Sequence, residues 1–94
     1  MYVRVVRFTD VSAERMERLM ARINEAGGPP PGVPSMGITV LFDEDQGTAV
    51  ALQHFASAQD LAAGAKVMDA MDPSETPGTR VSVDACEVKL EQQA

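Results

Sequence analysis

The order in which strand patterns and helix patterns follow one another constrains this chain more than any other feature. Residues Met1 to Ala26 and Met36 to Met71 each begin with a strand pattern and end with an amphipathic helix pattern. An acidic turn, Asp43 to Gly47, divides the strand part of the second segment into a hairpin, and another alternating segment follows near the C-terminus. The predicted order is therefore β-α-β-β-α-β.

This order is typical of the split βαβ arrangement of ferredoxin-like α+β proteins. We therefore predict one four-stranded antiparallel sheet with two helices on one face. The 94 residues fit a single domain that spans positions 1–94. A domain of this size buries only roughly 60–65% of the surface that its unfolded chain exposes, so dimerisation would enlarge a small core.

Four segments carry strand signals. They are Tyr2 to Phe8, Met36 to Phe42, Thr48 to Phe55 and Arg80 to Leu90, the last with a change of phase near Asp84. In the first of these strands, each face carries apolar residues and one arginine near an end. We therefore expect both faces of the sheet to be covered.

The ends of both helices have capping residues. Ser12 is suited to the N-cap of the first helix, and Gly27 is suited to a left-handed position just beyond its end. Ser57 is suited to cap the second helix, with Asp60 in place of the usual glutamate of a capping box, and Pro73 ends the pattern.

Gly64 lies inside the second predicted helix, where glycine costs up to about 1 kcal/mol relative to alanine. Its presence predicts a close approach of the helix to the sheet, with Ala49 and Ala51 as the small residues that receive it. The inward stripes of the two helices carry four methionines, Met16, Met20, Met68 and Met71. Flexible thioethers commonly fill a core, and they can also shape a cavity for a hydrophobic ligand.

The charge balance argues against nucleic acid as a partner. Fourteen acidic and eight basic side chains give a formal charge of −6, which repels a phosphate backbone. The single cysteine, Cys86, excludes an intrachain disulfide, and the N-terminal residues form no apolar run of signal-peptide or membrane-spanning length. We expect a cytoplasmic protein that does not contact membranes.

Four polar side chains are candidates for a functional site. His54, the single histidine, has an ordinary pKa near neutral and is a candidate base, although a rim or dimer-interface position is the commoner role. Tyr2, Arg4 and Gln53 are candidates to donate hydrogen bonds to a carbonyl or carboxylate ligand. The alternative for the arginines is solvation, or pairing with Asp84 or Glu87.

Other reactive groups point to structural roles. Cys86 has no identifiable basic neighbour, so we expect a small buried hydrophobe rather than a nucleophile. The carboxylates of Asp43, Glu44 and Asp45 match no calcium-loop spacing, and the sequence has no His or Cys cluster. We expect a solvated turn, no metal and no cofactor.

Two stretches carry a family resemblance. The first stretch runs from Gly37 to Phe42 and into Asp43-Glu44-Asp45, and the second runs from Val50 to Leu61. They resemble the central hairpin and second helix of the antibiotic-biosynthesis monooxygenase-like family. The resemblance implies a dimeric α/β barrel, in which the open faces of two sheets pack together with the helices outside. It also implies a small-molecule cavity between sheet and helices.

The resemblance makes Phe55 a ligand-binding candidate, because it stands where many members carry tryptophan. The polar strand residue Arg4 and the inward methionines Met20 and Met68 are further ligand-binding candidates. Haem-degrading relatives carry a histidine on the second helix, and Val67 to Asp72 contains none. Haem degradation is therefore not expected.

Three functions follow as hypotheses. The first is a cytoplasmic homodimer that binds a small hydrophobic or aromatic metabolite. The second is a cofactor-independent monooxygenase acting on an aromatic or polyketide-like substrate, with His54, Tyr2 and Gln53 as catalytic candidates beside Phe55. The third is a non-catalytic dimerisation module, which predicts no stabilisation by any ligand.

Overall fold

The computed structural model describes residues 1–29, 31–70 and 76–93. The elements are β1 (Tyr2–Thr9), α1 (Ala13–Ala26), β2 (Gly37–Asp43), β3 (Thr48–Phe55), α2 (Ala58–Asp69) and β4 (Thr79–Glu87). The strands form one sheet in the order β2-β3-β1-β4, and every neighbouring pair is antiparallel. The predicted ferredoxin-like α+β fold is confirmed.

Helix α1 begins and ends where its capping residues predict. The Ser12 hydroxyl accepts a hydrogen bond from the backbone N–H of Arg15 at 3.2 Å. Gly27 follows the helix in the left-handed conformation, with φ of 67°, and its N–H donates to the Ile23 carbonyl. Met16 is buried on the inward side of the helix, as its place in the apolar stripe predicts.

Helix α2 is capped by Ser57, whose hydroxyl accepts a hydrogen bond from the backbone N–H of Asp60 at 3.1 Å. The last helical residue is Asp69. The predicted continuation through Met71 to Pro73 lies outside the described residues.

Gly64 allows α2 to approach the sheet closely, as predicted. A Cβ atom placed there would lie 2.7 Å from Cε1 of Phe55 and 3.3 Å from Cγ1 of Val33. The predicted contact with Ala49 and Ala51 is wrong, because the Phe55 ring fills the space beneath the helix. Ala49 belongs instead to the other core cluster, and Ala51 packs against that cluster.

The two faces of the sheet differ in what covers them. One face of β1 and β3 lies on the side of the helices. It carries the cross-strand pairs Arg4 with Gln53 and Val6 with Ala51. The opposite face presents Val3, Val5, Val50, Leu52 and Leu41, and we call these five residues the open face. No described helix covers the open face, so the expectation that both faces are covered is met on only one side within the chain.

The edge strand β4 departs from its predicted pattern. The register with β1 shifts at Val81, so the irregularity lies there and not near Asp84. A bulge leaves one residue unpaired, and Val81 is 61% exposed. The strand ends at Glu87 rather than Leu90, because Glu87 already pairs with Tyr2, the first residue of β1.

Cys86 is exposed, so the prediction of a buried cysteine is wrong. It pairs with Val3 across β1 and β4, which places it on the side of the sheet that no described helix covers. The alternation of apolar and polar residues in β4 identifies two faces, but it does not say which of them a helix covers.

Candidate functional site

A cavity of about 570 Å³ lies between the helix side of the sheet, helix α1 and the loop that follows it. This volume falls within the range of about 300–1,000 Å³ that is usual for small-molecule pockets. Most of the lining is apolar, and it includes Val6, Phe8, Leu19, Ile23, Val40 and Met68. The predicted cavity between sheet and helices is therefore present in the fold.

Two polar side chains of the sheet project into this apolar surrounding. Arg4 and Gln53 are directly opposite each other in the β1–β3 register, and their residues are only 3% and 5% exposed. The Arg4 Nη1 donates a hydrogen bond to the Gln53 Oε1 at 3.3 Å. Both residues line the cavity, so two of the three predicted hydrogen-bond donors are brought together.

The charge partner of Arg4 is Asp69, the last residue of α2. Arg4 Nη2 lies 3.0 Å from Asp69 Oδ1, and Arg80 Nη1 lies 3.7 Å from the same oxygen. The Asp69 side chain is 59% exposed, so one largely hydrated carboxylate serves two arginines. The predicted pairing of the strand arginines with Asp84 or Glu87 is wrong for Arg4 but confirmed for Arg7, whose Nη1 lies 2.9 Å from Asp84 Oδ2.

The hydrogen-bonding capacity of this pair is only partly used. Arg4 Nε is buried and has no hydrogen-bond partner among the described residues. Leaving a buried donor without a partner costs roughly 1–3 kcal/mol. The Gln53 oxygen accepts from Arg4, which leaves the amide nitrogen of Gln53 as a donor that forms no hydrogen bond with the described residues.

Tyr2 does not join this pair. Its hydroxyl donates a hydrogen bond to Glu87 Oε2 at 2.8 Å, and this carboxylate raises the pKa of Tyr2. Lys89 also donates to Glu87; this contact, and secondarily the Tyr2 hydroxyl, lowers the pKa of Glu87. Tyr2 is thus held as a neutral phenol and does not line the cavity.

His54 lies on the opposite side of the sheet from the cavity. It follows Gln53 in β3, so its side chain projects on the side of the open face. Its Nε2 is 3.2 Å from Oγ1 of Thr39 on the neighbouring strand. The three catalytic candidates, His54, Tyr2 and Gln53, therefore do not form one cluster within the chain.

The four predicted ligand-binding residues separate in the same way. Arg4 and Met68 line the cavity. Phe55 is fully buried against Val33 and Leu61 beneath α2, and Met20 packs on the other core cluster; neither lines the cavity.

Sequence reasoning missed the role of Asp69. Its position as the last helical residue of α2 offers no pattern that links it to a strand arginine sixty-five positions earlier.

The described residues contain neither a cluster of metal ligands nor a membrane-spanning helix. No group of three or more His, Cys, Asp or Glu side chains in those residues is arranged to hold a metal ion. None of the described helices has both the length and the apolar character needed to cross a membrane. Asp43 instead accepts hydrogen bonds from the backbone and side chain of Gln46 within the β2–β3 turn.

Comparison with known proteins places the fold. No family model matches the chain, and no curated protein matches its sequence. A crystal structure of a "putative antibiotic biosynthesis monooxygenase" from Deinococcus radiodurans superposes with a TM-score of 0.60 at 17% identity, covering 100% of this chain and 98% of that one. The likeness confirms, at the level of fold, the resemblance predicted from the central hairpin and second helix: this chain has the ferredoxin-like fold of that monooxygenase-type protein.

Proposed function

We propose that this protein is a cytoplasmic homodimer that binds a small, mainly hydrophobic or aromatic metabolite in the cavity between its sheet and its helices. The observation that carries the proposal is the cavity itself. A mainly apolar cleft of about 570 Å³ with two buried polar side chains on its wall has the composition of a ligand site.

The open face supports the dimer part of the proposal. Leu41 is 52% exposed, and Val3, Val5, Val50 and Leu52 are only half-buried in the single chain. A contiguous apolar surface of this kind on a small domain is favourably covered by a second apolar surface. In the proposed barrel, the open faces of two copies cover each other.

Binding is tested with a neutral apolar dye such as Nile red, whose fluorescence rises in an apolar site. Ala51 lines the cavity, so Ala51→Leu should fill part of it and weaken dye binding. Ala62→Leu adds the same atoms on the exposed side of α2 and should leave binding unchanged. Equal binding by both variants would place the dye elsewhere and contradict the proposal.

Native mass spectrometry of freshly purified protein reports the subunit number and any retained molecule in one spectrum. We expect a dimer for the wild type and for Ala63→Glu, which adds a charge to the exposed side of α2. Leu52→Glu places the same charge in the centre of the open face and should give a monomer. A wild-type monomer at micromolar concentration would contradict the dimer.

Cofactor-independent oxygenation of an aromatic substrate is the second candidate function, favoured by the fold shared with the monooxygenase-type protein. Within one chain, Gln53 is the catalytic candidate that lines the cavity, whereas catalysis by His54 would need a substrate on the open face. Oxygen uptake with quinol and anthrone-like compounds tests this function. Absence of uptake across a broad panel would argue against it and leave the binding role.

A purely structural dimerisation module is the third candidate. It predicts a dimer in which no small molecule changes the free energy of unfolding. Thermal denaturation with and without the dye separates this function from ligand binding, because a ligand bound only to the folded state raises the melting temperature.

A further inference from the structure

We propose that the polar end of the ligand is a carboxylate, bound by the buried guanidinium of Arg4 together with the side-chain amide of Gln53. This inference rests on the proposed ligand-binding role of the cavity and specifies the class of molecule that it takes: an aromatic or aliphatic carboxylic acid.

The first argument is the kind of hydrogen-bonding group that the cavity leaves unused. Arg4 Nε–H has no partner among the described residues, and the amide nitrogen of Gln53 forms no hydrogen bond with them. Both groups are donors only. A ligand that satisfies them must present hydrogen-bond acceptor atoms, which excludes a hydrocarbon or an ammonium group as the part in contact with them.

The second argument is charge. Arg4 is 3% exposed, and a buried cation is costly unless an anion compensates it. Its one described counter-ion, Asp69, is 59% exposed and also lies 3.7 Å from Arg80. A carboxylate compensates the charge of Arg4 and accepts its free N–H, whereas a neutral carbonyl does only the second.

The surroundings of Arg4 favour the same ligand. The described lining of the cavity contains Arg4 and Arg80 but no acidic residue, in a chain whose formal charge is −6. Most of the lining around Arg4 is apolar, which strengthens a charge-assisted hydrogen bond relative to one in open water.

The test compares 2-naphthoate with 2-naphthamide, two molecules of nearly equal size and shape that differ in charge. Isothermal titration with the wild-type protein should show the acid binding about tenfold more tightly, or more, because it forms a charge-assisted hydrogen bond. Arg4→Met should remove this preference. Arg7→Met removes the same charge from the same strand on the other side of the sheet, where Arg7 pairs with Asp84, and should retain the preference.

The outcomes separate this inference from the proposed function. If both molecules bind the wild type equally, the carboxylate preference is refuted while ligand binding stands. If neither binds, both are refuted for aromatic ligands of this size. If the acid is preferred equally by Arg4→Met and the wild type, the carboxylate lies elsewhere and the assignment to Arg4 is wrong.

A second variant tests the same site in case Arg4→Met does not fold. Gln53→Met keeps Arg4 and its contact with Asp69 but removes the amide donor. We expect a reduced preference for 2-naphthoate, with circular dichroism like that of the wild type. An unchanged preference in a folded Gln53→Met would remove Gln53 from the proposed site.

Discussion

Replacing Gly64 with alanine tests how tightly α2 is seated on the sheet. The added Cβ would lie 2.7 Å and 2.9 Å from two carbons of the Phe55 ring, well inside the ordinary contact distance of 3.4 Å. The ring is fully buried, and Cγ1 of Val33 would lie 3.3 Å from the added atom, so accommodating it requires buried side chains to move. Overpacking of this kind costs about 1–3 kcal/mol.

Alanine also favours the helix by about 1 kcal/mol relative to glycine, which offsets part of that cost. Because Phe55 is completely enclosed, we place the overpacking cost in the upper half of its range. The expected net effect is a decrease of about 1–2 kcal/mol in the free energy of unfolding. Urea denaturation measures it as a lower midpoint with an unchanged slope.

Two controls separate the steric term from helix propensity. Ala63→Gly, at the neighbouring exposed position of α2, reports the propensity difference alone, about 1 kcal/mol. In a Phe55→Leu background, which removes part of the ring, Gly64→Ala should cost less than it does in the wild type. A higher urea midpoint for Gly64→Ala in the wild type would show that the helix and ring separate freely and would refute the reasoning.

Two further predictions concern local hydrogen bonds. Ser57→Ala removes the hydrogen-bond acceptor for the first turn of α2 and should lower the free energy of unfolding by about 1 kcal/mol. Gln59→Ala, on the exposed side of that turn, should change it little. Equal effects of the two substitutions in urea denaturation would contradict a capping role. Tyr2 is the single tyrosine, so ultraviolet titration of phenolate formation reports it directly. Because Glu87 raises the pKa of Tyr2, the tyrosine should ionise at lower pH in Glu87→Gln than in the wild type. In the control Glu91→Gln it should titrate as in the wild type. Coincident titration curves for Glu87→Gln and the wild type would show that the contact is absent in solution.

Much of the architecture follows from local sequence signals. Ser12, Gly27 and Ser57 act where capping chemistry predicts, since a cap depends on atoms only a few residues away. The β3 strand runs from Thr48 to Phe55, as its composition and the acidic turn predict. The β4 pattern is less informative, because a bulge changes the phase of alternation without a distinctive residue to mark it.

The candidate site depends on contacts that no local pattern contains. The sequence determined that Arg4 and Gln53 lie on strands and that Gly64 needs a close neighbour, because alternation and helix propensity are properties of short segments. Only the tertiary structure decided that Arg4 and Gln53 meet in an apolar cavity, that Asp69 is the charge partner, and that His54 lies on the other side of the sheet. Strand register, together with the side of the sheet that the helices cover, brings together residues that are far apart in the chain. These long-range contacts make Arg4 a buried arginine with an unused donor rather than a solvated arginine at a strand end.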